Sequence, residues 1–218
     1  MGRLLIVNGS PRVPHSHSKQ IAELFQTFWG GEVSKYNVTA KKHAGICEQI
    51  GTYTDLLFVF PLYVDGLPVT LMHFLKEMEN HPVSPKPVVH LIINCGFLEP
   101  EQNRVACDMV HLFCKQNGYP FGSSLWIGSG EAILETPFAY FVKRKLKKMA
   151  TSITTGKPVQ QMVTMPLPKR AFLKESTKYW IRYGEKTGLP SNRWKRWKSN
   201  QSAFEKSLVH SFEKCGMI

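Results

Sequence analysis

The stretch Leu4-Leu5-Ile6-Val7-Asn8-Gly9-Ser10-Pro11-Arg12, continued after Val13 and Pro14 by His15-Ser16-His17-Ser18, decides the fold. Four apolar residues in a row read as a strand buried on both faces, and the run stops abruptly at Asn8-Gly9. Ile21, Leu24, Phe25 and Phe28 then recur at helical spacing, so a hydroxyl-rich loop passes from a strand end to a helix start. Unpaired N–H groups and the helix macrodipole make such a loop a cradle for an anion such as phosphate. A polar turn whose serines only cap the helix is the alternative.

Outward from this unit, strand and helix keep alternating. Residues 32–38 suit a second strand, and Asp55-Leu-Leu-Phe-Val-Phe60 forms a continuous apolar strand stopped by Pro61. Leu71, Phe74, Leu75 and Met78 mark an amphipathic helix opened by Pro68. A strand over 87–94 follows, then a helix carrying Val105, Met109, Leu112 and Phe113. A fifth strand over 122–128 leads to a fifth helix over about 138–153, with an apolar stripe of Phe138, Phe141, Val142, Leu146, Met149 and Ile153. Five such alternations predict a doubly wound α/β domain over residues 1–154, with a five-stranded parallel sheet and right-handed crossovers. Its ligand belongs outside the carboxyl ends of the strands, where strand order reverses. Residues 155–218, rich in Pro, Lys, Arg and Trp with one helix near 172–186, read as an appended cap or dimer arm.

The bulk numbers agree with one domain. At 218 residues and 43% hydrophobic, the chain can bury one good core. No apolar run approaches the roughly 20 residues of a membrane-spanning helix. The absence of a signal-peptide or myristoylation pattern gives a cytoplasmic expectation. The five cysteines contain no C-x-x-C pair or metal spacing and read as reduced thiols. The net charge of +12 is lopsided: residues 1–142 carry 10 basic and 12 acidic side chains, and residues 143–218 carry 18 and 4. A nucleic acid, an anionic membrane or a phosphorylated small molecule would each suit that asymmetry.

Three loops at strand ends have unusual composition. The first, 9–18, lacks both G-x-x-x-x-G-K-[ST] and G-x-G-x-x-G, so a monophosphate held by hydroxyls and amides fits it better than a nucleoside triphosphate or dinucleotide. His15 and His17 have no third ligand nearby in sequence, and no metal is expected. The second, Pro61-Leu-Tyr-Val-Asp-Gly-Leu-Pro68, is apolar and aromatic, with Gly66 as the residue suited to positive φ. It either stacks on a flat ring or plugs the sheet's end. The third is Asn94-Cys-Gly-Phe97, continuing to Glu99.

Together these three motifs resemble the flavodoxin-like NAD(P)H-dependent FMN reductase and quinone reductase family over about residues 3–153. The resemblance implies a flavodoxin-like sheet of order 2-1-3-4-5, FMN as cofactor, and NADH or NADPH as co-substrate. It assigns the FMN phosphate to Ser10, Arg12, Ser16, His17 and Ser18. It lays Pro61, Leu62, Tyr63, Val64 and Asp65 along the isoalloxazine ring, and sets Asn94, Cys95, Gly96 and Phe97 at its pyrimidine side. His17 stands where many relatives carry Asn, and Asp65 brings a carboxylate near the ring unless only its amide faces the cofactor. The C-x-x-C-x-x-C run of the iron–sulfur branch is absent. Cys95 reads as a small buried hydrophobe, and Cys107 and Cys114 as core-facing.

On this resemblance the chemistry is the flavin's own, with hydride uptake from NAD(P)H and ping-pong transfer to a small acceptor such as a flavin or quinone. No catalytic triad is required, and a homodimer is implied. The alternative is a flavodoxin-like electron carrier or binding module without nicotinamide activity, tethered to an anionic partner by the basic arm. Lys143, Arg144, Lys145, Lys147 and Lys148 give the fifth helix a cationic face. Arg193-Trp-Lys-Arg-Trp-Lys198 interleaves tryptophans with cations and suits cap or dimer packing, an anionic membrane or a nucleic acid, the first being preferred.

Overall fold

The computed structural model describes residues 2–12, 16–39 and 42–186. The strands are β1 (Leu4–Asn8), β2 (Val33–Asn37), β3 (Asp55–Pro61), β4 (Val88–Asn94), β5 (Phe121–Ile127) and β6 (Gln160–Val163). All pair in parallel, in the order β2-β1-β3-β4-β5-β6. The helices are α1 (His17–Gln26), α2 (Ala44–Gln49), α3 (Val69–Asn80), α4 (Arg104–Asn117), α5 (Ala139–Thr154) and α6 (Lys169–Lys186). The chain runs from β1 outward to β2 and then returns past β1 to β3, so strand order reverses between β1 and β3.

Strand periodicity divides the core in two. Leu5, Val7, Leu56, Phe58, Phe60, Val89, Leu91 and Ile93 pack with Cys47, Leu71, Phe74, Val110 and Phe113 of α2, α3 and α4. Leu4, Ile6, Leu57, Val59 and Ile92 are equally buried on the opposite face, where α1 and α5 contribute Ile21, Phe25, Val142, Leu146 and Met149. Near the amino ends of β3, β4 and β5, His90 forms a clasp. Its Nε2 donates to Asp55 Oδ1 at 3.1 Å, and its Nδ1 accepts the Ser123 N–H at 2.9 Å.

The sheet has six strands, not the five expected from sequence. β6 extends the edge beyond β5 and starts after residue 154, where the sequence reading ended the domain. Its sequence, Gln160-Gln161-Met162-Val163, shows no apolar alternation because Gln161 is a buried polar residue; its Nε2 donates to Lys145 O of α5 at 3.3 Å. The compact unit containing the sheet runs Met1–Pro166, and Leu167–Ile218 forms a second unit in which α6 is described. The segment Arg193–Lys198 lies outside the described residues.

Helix α4 follows the sequence expectation at Cys107, Phe113 and Cys114 and departs from it at Val105 and Leu112. Ala106, Cys107, Val110, Phe113 and Cys114 are buried, whereas Val105 and Leu112 face solvent. Positions 106, 107, 110, 113 and 114 share one helical face, which leaves Val105 and Leu112 on the other. In α5 the expected stripe is buried at Val142, Leu146, Met149 and Ile153, but Phe141 is exposed. Among the described residues no helix is long and apolar enough to cross a membrane.

Candidate functional site

The first loop begins with a close approach. Gly9 N donates to Val59 O at 2.9 Å, and a Cβ on Gly9 would stand 2.8 Å from Phe60 Cβ, so only glycine fits without a shift. Asn8 Nδ2 reaches Asn37 Oδ1 at 3.0 Å, while Asn8 Oδ1 accepts the Ser10 N–H at 3.1 Å. The loop then folds back on its own hydroxyl, with Ser10 Oγ accepting the Arg12 N–H at 3.3 Å. Ser16 caps α1, its Oγ accepting the Lys19 N–H at 3.1 Å. A hydroxyl has one hydrogen to give, and among the described residues Ser10 and Ser16 act only as acceptors. His17 sits in the first turn of α1, and its Nδ1 is buried with no hydrogen-bond partner among the described residues.

Asn94, the last residue of β4, ties the three loops together. Its Oδ1 accepts the Ser18 hydroxyl at 2.8 Å, and its backbone carbonyl accepts the Leu62 N–H at 2.8 Å. Both Ser18 and Asn94 are buried. The loops that leave β1, β3 and β4 are therefore held as one assembly at the carboxyl edge, beside the β1–β3 reversal.

The second loop is a tight hairpin. Tyr63 and Gly66 exchange both backbone hydrogen bonds, at 3.1 and 2.9 Å, and the central residues Val64 and Asp65 have φ of 46° and 54°. Positive φ at both central positions is the geometry of a type I′ turn. The left-handed residues are thus Val64 and Asp65, not Gly66 as the sequence suggested. A β-branched residue at positive φ is strained, and Val64 is also fully exposed, at 101% of its reference area. Asp65 is exposed at the same tip.

In the third loop, Gly96 and Phe97 are exposed while Cys95 turns inward. Asn103 Nδ2 lies 3.4 Å from the Cys95 sulfur, and burial pushes the Cys95 thiol up to about 11. The thiol is a protonated core group near neutral pH. The β5 exit loop braces this segment: Ser129 N donates to Phe97 O at 2.5 Å and Gly130 N to Cys95 O at 2.7 Å. A Cβ on Gly96 would meet first the Glu131 side chain, at 3.7 Å.

No protein-family model and no curated protein sequence matches this chain. Solved structures do match its fold. The azoreductase of Bacillus anthracis str. Sterne superposes with a TM-score of 0.53 at 12% identity, over 71% of this chain and 100% of its own. The NAD(P)H:quinone oxidoreductase of Methanothermobacter marburgensis gives 0.54 at 12% identity, over 70% of this chain and 96% of its own. The flavodoxin of Fusobacterium nucleatum, solved with flavin mononucleotide bound, gives 0.54 at 15% identity, over 72% and 99%. The fold is flavodoxin-like.

On this flavodoxin-like sheet, the residues that the resemblance assigned to the flavin lie in the three joined loops or at the ends of β3, β4 and α1 that border them. His15 falls outside the described residues. Sequence reasoning missed the bracing role of Ser129 and Gly130, whose only sequence signal is a Gly-Ser-Gly run after the fifth strand. It also missed the type I′ turn. A wider concavity of about 630 Å³ lies at the opposite, amino-terminal edge, lined in part by Pro82, Val83, Lys86 and Gly118. It is remote from the three loops. Among the described residues no group of three or more His, Cys, Asp or Glu side chains is placed to hold a metal ion.

Proposed function

We propose that this chain is an FMN-dependent oxidoreductase that takes a hydride from NAD(P)H and reduces a flavin, quinone or similar small acceptor by ping-pong transfer. The observation that carries the reading is the Asn94 junction, which holds an anion-suited loop, an apolar turn and an open glycine-bearing loop together at the β1–β3 reversal.

The donor set suits a flavin monophosphate. First-turn N–H groups of a helix lack intrahelical acceptors and attract an anion. Ser10 and Ser16, whose hydroxyls only accept hydrogen bonds among the described residues, the exposed Arg12, and His17, whose Nδ1 has no partner among them, belong to that loop and first turn. Ser18 gives its hydrogen to Asn94 and acts as a positioning residue. Pro61 to Asp65 would lie along the ring, and Asn94 to Phe97 would border its polar edge. FMN, when bound, supplies the hydride-accepting chemistry itself. The protein's part is to fix the ring, leave one face open and exclude competing reactions.

A homodimer belongs to the same proposal. Val69 and Met72 on α3, with Val105 and Leu112 on α4, are exposed apolar side chains on neighbouring helices of one face. Val64 and Phe97 are exposed apolar side chains of the second and third loops. A second copy seated there would cover the apolar face and border the ring. Cys47, Cys95, Cys107 and Cys114 are buried free thiols, in keeping with a reducing compartment, and we place the protein in the cytoplasm.

The test is titration of the purified chain with FMN, followed by flavin fluorescence, with steady-state NADH and NADPH oxidation using a quinone acceptor. Saturable FMN binding and quinone-dependent oxidation support the reading. Binding without oxidation favours a carrier, and no binding removes the cofactor assignment.

A further inference from the structure

A second concavity flanks the sheet between α5 and the edge strand β6. It encloses about 360 Å³, within the range of small-molecule sites. Phe141, Arg144, Lys145 and Lys148 line it from the helix, with Val163 and Thr164 from the end of β6. No acidic side chain lines it among the described residues. Like charges one turn apart destabilise a helix, so three cations crowded on one flank are favourable chiefly when an anion sits among them.

The groove also offers aromatic surface. That surface is Phe141, against which Phe138 stacks with centroids 6.4 Å apart and Tyr140 packs edge-on at 5.8 Å. Phe141, the aromatic residue that lines the groove, is exposed and leaves room for a flat heterocycle beside the cations. An aromatic base carrying a phosphate matches that pairing. The C-terminal residues 187–218 do not, since they hold six Lys or Arg against two Glu.

This groove shares a wall with the third loop. Thr164 Oγ1 donates to Leu98 O at 2.5 Å and meets Ser129 Oγ at 3.1 Å, and Ser129 in turn braces Phe97. The ends of β4 and β6 are two strand spacings apart, roughly 10 Å, which an extended dinucleotide can span.

We propose that the α5–β6 groove takes the adenosine 2′-phosphate half of NADPH and makes this chain prefer NADPH to NADH. The proposal rests on the reductase reading above. A monoester phosphate carries nearly two negative charges, and NADH has none at that position.

Calorimetric titration of the full chain with adenosine 2′,5′-bisphosphate and with ADP tests it, beside the double variant Arg144→Gln, Lys148→Gln. The bisphosphate is expected to bind about tenfold or more tightly than ADP, with that advantage lost in the variant. The NADPH-to-NADH ratio of kcat/KM is expected to fall about tenfold or more in the variant. Equal binding of both ligands, an unchanged ratio, or displacement of the bisphosphate by a short oligonucleotide at equal phosphate concentration would overturn it. Selective bisphosphate binding by a chain that takes up no FMN would keep the groove and remove the reductase. A flavin-loaded, NADPH-oxidising chain that binds both ligands alike would do the reverse.

Discussion

Ser18, Val64 and His90 each carry a consequence that one substitution can read. Ser18→Ala leaves the buried Asn94 Oδ1 without its donor and unties the first loop from the third. A loss of about 1–3 kcal/mol in urea-unfolding stability is expected, with weaker FMN binding. Val64→Asn keeps the turn but replaces a strained β-branched residue with one that tolerates φ of 46°. Thermal denaturation of the apoprotein should then show a gain on the order of 0.5–1 kcal/mol, whereas a loss would mean that φ at this position is not what strains the turn. His90→Leu removes the acceptor of the buried Ser123 N–H and the partner of Asp55 together. A destabilisation of about 2–4 kcal/mol is expected, and a change under about 1 kcal/mol would dissolve the clasp.

At the scale of elements, α4 separates the structure from the pattern in its sequence. Leu112→Gln should leave monomer stability within about 0.5 kcal/mol, because the residue is exposed, while Ala106→Leu should cost about 1–3 kcal/mol by overpacking. Hydrophobicity alone favours Val105 and Leu112 as inward residues. The chain buries Ala106 on the same face as the expected Cys107, Phe113 and Cys114, and that face leaves Val105 and Leu112 outward. The central strands were legible because burial on both faces leaves unbroken apolar runs such as Leu56 to Phe60. β6 was not, because the buried positions of this four-residue edge strand are Gln161 and Val163, and a polar residue at one of them breaks the apolar pattern. The site loops were legible as composition, Asn-Gly-Ser-Pro above all. Their linkage through Asn94 was not, because it joins residues 76 positions apart. Nor was the Val64–Asp65 turn, since Gly66 offers the obvious residue for positive φ and only the Tyr63–Gly66 pairing moves it outside the turn's centre.

For the whole molecule, buried thiols set the alkaline limit of stability. Burial raises Cys95 from 9.0 to about 11, and Cys47 and Cys114 to about 12. A thiol whose folded pKa is raised contributes stability that is full below its unfolded pKa and lost as pH rises toward the folded value. Stability should therefore hold near neutral pH and fall from about pH 9 upward, with these cysteines alkylated by iodoacetamide only as the chain unfolds. Light scattering on a size-exclusion column should report a dimer that Leu112→Glu shifts to monomer, since that substitution puts a charge on the apolar α3–α4 face. The central claim concerns the cofactor and its reductant. It is tested most directly by the visible absorption spectrum of the purified protein, recorded before and after anaerobic addition of NADPH and, separately, NADH. The account predicts a bound-flavin spectrum that bleaches, faster with NADPH. A colourless protein that fails to take up added FMN would contradict it.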